Sequence, residues 1–267
     1  MTTSPTPSGV EVFAASAGAL KQRVEEVNRL NVFPVPDGDT GTNMSLTLDA
    51  VMTDLAKLPP NASIGDLCHA ITHGSLMGAR GNSGVILSQM LRGLCEVVAV
   101  STEFTPQVIA SSLDRSVKVA FQAVRKPVEG TMLTVLKDAS TAATAGVAAG
   151  LPLDEFLDAV VQAAFESVRR GPELLPVLKE NGVVDAGGFG LAILAEGFVA
   201  AYKGREYREH AIETAAEPLK VDADLGRDAH ALHTLKLPGW CGGRDFVACT
   251  RGVMAEQADG FAAHVAL

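Results

Sequence analysis

Asn31-Val32-Phe33-Pro34-Val35-Pro36-Asp37-Gly38-Asp39-Thr40-Gly41-Thr42-Asn43-Met44 lies between two stretches whose apolar residues recur at helical spacing. Prolines at 34 and 36 stiffen the approach, while Gly38 and Gly41 permit tight backbone turns, so the segment is a shaped connection between helices. Outward from it the same periodicity returns in segment after segment, whereas sustained alternation with a period of two is hard to find. Helices are expected near Val10 to Leu30, Thr42 to Leu58, Ile64 to Met77, Ser83 to Val98, Thr105 to Val124, Thr131 to Ala149, Leu153 to Arg170, Leu174 to Glu180 and Gly188 to Tyr202. Eight or nine helices on short loops make an all-α bundle. Asp154 puts acidic charge at a helix start, and Gly171-Pro172 reads as a stop after Arg169-Arg170. Beyond about Arg205 the pattern decays through Ala216-Glu217-Pro218 to Leu237-Pro238-Gly239-Trp240-Cys241-Gly242-Gly243, with no long amphipathic repeat to bury. The expected division is a helical domain over 9–205 and an irregular, poorly ordered C-terminal appendage over 206–267.

Composition narrows the function classes. A chain of 267 residues with 47% hydrophobic content is long enough for one substantial core. A formal net charge of −9 without a segregated basic patch disfavours nucleic acid and anionic membrane as partners. Cys68, Cys95, Cys241 and Cys249 form no CxxC pair and the N-terminus carries no basic segment leading into an apolar core, so a reduced cytoplasm is the expected compartment. The most apolar run, Val183 to Tyr202, is interrupted by Asp185, Glu196 and several glycines and reads as a buried helix, not a membrane span.

The unusual chemistry lies in the loops. Asp37 and Asp39, one glycine apart, can converge on a hard cation, and magnesium in particular takes carboxylates together with substrate phosphates. Thr42 stands where a helix cap would, so that amides after Gly41 could face an anion. An ordinary acidic surface turn accounts for Pro36-Asp37-Gly38-Asp39 equally well. A calcium hand does not, because it needs glycine where Thr42 sits and an acidic ligand where Leu48 sits. A second loop, Gly78-Ala79-Arg80-Gly81-Asn82-Ser83-Gly84, again opens a helix with small residues and a hydroxyl, the arrangement that cradles phosphate oxygens, although a glycine-rich turn has the same composition. A third, Lys126-Pro127-Val128-Glu129-Gly130-Thr131-Met132, and a fourth, Asn181 to Gly190 around Asp185, Gly187 and Gly188, repeat the theme. Neither GxxxxGK[ST] nor a properly placed GxGxxG occurs, which sets the standard nucleotide folds aside. His69 and His73 share a helix face but lack the HExxH glutamate; His230, His233 and Cys241 lack regular spacing; Ser83 has no evident base partner.

At these loops the sequence resembles the nucleotide-binding L domain of dihydroxyacetone kinases, and more closely the N-terminal ATP-binding domain of bacterial fatty acid kinases. Leu30 to Met44 carries the likeness, and Gly78 to Gly84, Glu129 to Met132 and Val184 to Gly188 follow in the family's order, over roughly Gly9 to Tyr202. The resemblance implies a closed barrel of about eight amphipathic antiparallel helices whose end loops bind ATP with magnesium, as two ions. It implies that Asp37 and Asp39 hold metal and carry the chemistry, with Asn31 the nearest oxygen where the family has a further aspartate. By the same matching Thr40, Gly41, Thr42, Asn43, Asn82, Ser83 and Gly84 contact phosphates, Thr131 and Met132 lie near the base, and Asp185 to Gly187 close the pocket. The implied activity is phosphoryl transfer to a fatty acid carboxylate presented by a separate fatty-acid-binding protein. Alternatives are transfer to dihydroxyacetone (glycerone) held by another subunit, or a noncatalytic nucleotide-dependent scaffold; a homodimer is left open. The family's full-length kinases continue into further domains that this chain's Cys-Gly-rich end does not resemble. A truncated or frameshifted end is therefore expected, with nucleotide binding retained and turnover weak or absent.

Overall fold

Helix starts are written locally. Ser8 with Glu11 and Ser63 with Asp66 form reciprocal capping boxes, and Thr105 accepts from the Val108 amide ahead of a proline at the first turn. The structure, a computed structural model, describes residues 8–212. Among these it contains ten helices and no strand: α1 (Gly9–Gln22), α2 (Val24–Arg29), α3 (Thr40–Leu55), α4 (Ile64–Gly78), α5 (Gly81–Val98), α6 (Pro106–Ala123), α7 (Met132–Ala148), α8 (Leu153–Leu174), α9 (Pro176–Glu180) and α10 (Ala186–Tyr202).

Eight of the ten are long and pack in a ring in the order α1, α3, α4, α5, α6, α7, α8, α10, with α10 closing back on α1; α2 and α9 are short linkers of six and five residues. Neighbours run antiparallel. Gly74 meets Val51 while Gly78 meets Ala50 and Thr47; Asp138 pairs with Ser167 while Gly146 meets Phe156; Gly190 lies by Leu20 while Gly197 lies by Ser16. Helices α5 and α6 approach closely at Gly93, where a Cβ would stand 2.5 Å from Ser116 Cα, and Ser116 Oγ donates to Met90 O there at 2.9 Å. The expected all-α closed barrel of about eight antiparallel helices is thus the observed one. Its interior is a core around Leu20, Met44, Phe165, Phe189 and Ile193, beside a cavity of about 460 Å³ lined by apolar side chains of α1, α4, α5, α6, α7, α8 and α10.

Two boundaries differ from the sequence expectation. The stretch Val10 to Leu30 is two helices, broken at Arg23, whose φ of −116° and ψ of 16° leave the helical region. Arg23 turns out of line to reach Glu26 with both guanidinium ends at 2.7 Å, Tyr207 at 3.1 Å and the face of Phe189 at 4.8 Å. Gly171-Pro172 does not stop α8, which runs on to Leu174. A proline this close to a C-terminus removes one amide only, and Leu175 N still donates to Gly171 O at 2.9 Å. Of the expected appendage, residues 206–212 lie against the barrel, with Tyr207 and Ile212 on its core; 213–267, with His230, His233 and Cys241, lie outside the described residues. No described helix is long and apolar enough to cross a membrane.

Candidate functional site

The up-and-down order puts the N-termini of α3, α5, α7 and α10 at one end of the ring. Each of the four loops singled out in the sequence leads into one of these helices. Four positive macrodipole ends converge there, with orphan first-turn amides available to an anion. The cavity inside the barrel offers no comparable partners to a charged ligand, since its lining is almost wholly apolar.

The first loop rests on a platform made by α2. Asn28 on α2 accepts from the Thr42 amide at 3.1 Å and donates to Thr42 Oγ1 at 2.9 Å. Asn31 accepts from the Thr40 amide at 3.1 Å and its hydroxyl at 2.6 Å, and donates to Val35 O at 2.8 Å. Gly41 is pressed so closely to α2 that a Cβ would stand 2.5 Å from Val24 O. Two expectations are corrected here. Thr42 is not the cap of α3: Asp39 occupies that position, and the amides of Thr42 and Asn43 are taken by Asn28 and by Asp39 O (2.8 Å), so Gly41 carries the first-turn amide without such a partner. Asn31, expected beside the metal, has both lone pairs of Oδ1 filled by Thr40 and is 6% exposed, so it shapes the loop instead of offering an oxygen.

Asp37 and Asp39 stand side by side at the rim. Partial withdrawal from water, and then the neighbouring Asp39 carboxylate, raise the Asp37 carboxyl above its usual range. Among the described ion pairs none involves either residue. Two like charges without a basic partner suit a hard cation. The described residues hold no cluster of three or more His, Cys, Asp or Glu, so the donor set fits magnesium completed by phosphates and water, not an all-protein calcium or zinc cage.

The second loop meets the first through Asn43, whose Nδ2 would be 2.3 Å from a Cβ at Gly81, a residue with φ of +56°. Thr47 adds a second link, donating to Asn43 O at 2.7 Å, accepting from Arg80 N at 3.2 Å and covering Gly84. Asn82 and Ser83, both half-buried, occupy the first turn of α5. The third and fourth loops are joined by Asp185. Its buried carboxylate caps α10 through Gly188 N at 2.7 Å and also accepts the Met132 amide that starts α7. Thr131, the N-cap of α7, turns its hydroxyl away to Val128 O at 2.8 Å and leaves that task to Asp185. Burial pushes the Asp185 carboxyl up to about 6, against the two amides that lower it. Met132 is itself buried, with Sδ against Gly187. The third loop is seated closely on the end of α8, where a Cβ at Gly130, φ +82°, would stand 2.9 Å from the Gly171 carbonyl oxygen.

Sequence reasoning found the four loops but missed Asn28, Thr47 and Arg23, which position them. His69 and His73 stack at 6.2 Å, and His73 Nδ1 lies within hydrogen-bond distance of Asp54 Oδ2 at 2.6 Å, a contact on the wall away from the four loops. With this geometry established, comparison with known proteins gives one consistent result. Residues 34–200 match the DAK2 domain. The chain belongs to the DAK2 domain family. Within it, the chain is 42% identical to Protein YloV of Bacillus subtilis (strain 168) over 222 residues, which is 83% of this chain and 40% of that protein. It is also 42% identical over 228 residues to an uncharacterised protein of Staphylococcus aureus (strain USA300), of which it covers 39%. The chain therefore spans about two fifths of the length of these relatives. In structure it is similar to the dihydroxyacetone kinase from C. freundii crystallised in complex with AMP-PNP and Mg2+, with a TM-score of 0.54 and 20% identity over 74% of this chain and 37% of that one. The native form of that enzyme superposes with a TM-score of 0.51. The shared property at this identity is the DAK2 helical barrel.

Proposed function

We propose that the loop end of this DAK2 barrel binds ATP with magnesium and serves as the nucleotide half of a kinase, transferring the γ-phosphoryl group to an acceptor held by a second protein. The observation that carries the reading is the meeting of an unpaired Asp37–Asp39 couple with four helix N-termini. The AMP-PNP and Mg2+ present in the structurally similar C. freundii enzyme support it.

Asp37 and Asp39 would hold magnesium, two ions in the fullest form. Bound there, magnesium would neutralise charge spread over the phosphate oxygens. On α3 the Gly41 amide, in a first turn shaped by Thr40, Thr42 and Asn43, and on α5 the Asn82 and Ser83 amides with the Ser83 hydroxyl orient the phosphates, while Gly84 seats α5 against Thr47. Thr131, Met132, Asp185 and Gly187 bound the nucleoside side and keep water out. Transfer breaks the bond from the γ-phosphorus to its bridging oxygen, forms a bond to the acceptor oxygen, and releases ADP. A fatty acid carboxylate is the preferred acceptor: it is already ionised and needs no general base, and none of the four loops contains a histidine. The product is an acyl phosphate, and the setting is the cytoplasm.

The test is calorimetric titration with ATP, with and without magnesium. It is followed by incubation with a fatty-acid-binding protein and hydroxylamine, which traps an acyl phosphate as the hydroxamate. Magnesium-dependent binding and hydroxamate formation are expected; absence of binding refutes the nucleotide reading. Hydroxamate absent but phosphorylated dihydroxyacetone formed with its own binding subunit would move the acceptor to glycerone. A noncatalytic scaffold is the second reading, favoured by a described carboxylate set of only two; ATP-dependent partner binding without any transfer would establish it.

A further inference from the structure

The segment that follows α10 is held to the barrel by a buried charge. Glu196 on α10 is 1% exposed, yet its carboxylate is ionised: Arg205 donates to both oxygens at 2.5 and 3.0 Å and the Arg208 amide to one at 2.9 Å, outweighing the burial that would raise its titration. Residues 205–208 therefore return along the outside of α10 as a strap. Between these anchors Tyr207 turns inward, and its hydroxyl accepts from Arg23 Nη1 at 3.1 Å.

Arg23 is the residue at which α1 breaks into α2, and α2 is the platform of the first loop. Its guanidinium is fixed on three sides, by Glu26, by the ring of Phe189 in the first turn of α10, and by Tyr207. Directly after it, α2 presents Val24 O and, a turn further along, Asn28 to the first turn of α3. We infer that Arg23 is a positioning residue for the Asp37–Asp39 loop and that Tyr207 sets it, so that the strap after α10 and the nucleotide site are mechanically coupled. A partner or segment that lifts the strap loosens the metal loop, and a ligand that orders the loop tightens the strap. The part of this inference that concerns nucleotide rests on the function proposed above.

The experiment measures amide hydrogen exchange in the whole chain, free of nucleotide, for the wild type, Tyr207→Phe and Glu196→Gln. Tyr207→Phe keeps the ring packed and removes only the oxygen that Arg23 reaches. The expected result is faster exchange at the amides of Thr40 and Thr42, by about fivefold, the part of one hydrogen bond from a charged donor that reaches the loop, with α6 unchanged. Exchange at wild-type rates in both variants would overturn the coupling, as would acceleration spread evenly over all helices, which marks a merely structural strap. A second arm titrates magnesium-ATP: the variants should show a raised Kd at unchanged stoichiometry, with Arg205 to Arg208 more protected in the wild type when nucleotide is bound. If the wild type fails to bind magnesium-ATP the proposed function falls, while the exchange arm still decides the coupling.

Discussion

Replacing Gly41 by alanine separates helix propensity from the packing that builds the loop. Within a helix, glycine to alanine normally stabilises by up to about 1 kcal/mol. At Gly41 the new Cβ would lie 2.5 Å from Val24 O and 3.0 Å from both Val27 Cβ and Asn28 Oδ1, and two of these three are backbone or the base of a branched side chain that cannot swing away. Overpacking of this kind costs about 1–3 kcal/mol. Relief requires α2 to move off α3, which stretches the two Asn28–Thr42 bonds, each contributing about 1 kcal/mol. The net expectation is a loss of about 2–3 kcal/mol, or roughly 5–10 °C in Tm for a domain of this size. The control is Gly18→Ala in α1, where a Cβ meets nothing within 4 Å and the propensity gain of about 0.5–1 kcal/mol should appear undiminished. Urea unfolding of both variants with the wild type reads the two effects. A Gly41→Ala protein as stable as the wild type would refute the close α2–α3 seating on which the loop geometry depends.

Other outcomes follow from individual groups. Asp185 titrates at about 6 in the fold against 3.8 ordinarily, so its contribution is fully present below pH 4 and lost as pH rises through 6. The stability difference between wild type and Asp185→Asn should therefore fall by about 3 kcal/mol across that window and be flat above pH 7; denaturant unfolding at stepped pH measures it. Replacing Asp37 and Asp39 together by Asn should leave the circular dichroism of the helices intact and the metal-free chain no less stable, because a like-charge pair is relieved; a collapse of helicity would show that the pair is structural. Glu196→Ala should destabilise by about 3 kcal/mol, and Glu196→Ala with Arg205→Ala by less than the sum of the singles, which thermal melts of the double-mutant cycle will show.

Much of the barrel is legible because its helices are amphipathic and their caps are local: Ser63 with Asp66, or Thr105 ahead of Pro106, announce a start from sequence alone. The loops are legible for a related reason, since Pro34, Gly38 and Gly81 specify turns that few other residues allow. What was hidden depends on partners distant in sequence. The break at Arg23 has no proline or glycine to mark it; it exists because Tyr207, 184 residues away, and Phe189 hold the guanidinium. Asn31 looked like a ligand because its oxygen is of the right kind, and only the geometry shows that Thr40 has taken it. Likewise, nothing near Thr131 tells that its helix is capped by Asp185 from another loop, and Pro172 reads as a stop until α8 is seen to run three-quarters of a turn past Gly171.

The central claim is that two carboxylates and four helix ends form a metal-dependent nucleotide site, and its most direct test is calorimetric titration of the whole chain with ATP in the presence and absence of magnesium. The account predicts saturable binding with magnesium, lost on chelation and lost in the Asp37→Asn, Asp39→Asn double variant. Binding that is indifferent to magnesium and to that double substitution, or no binding to a folded wild-type chain, would contradict it.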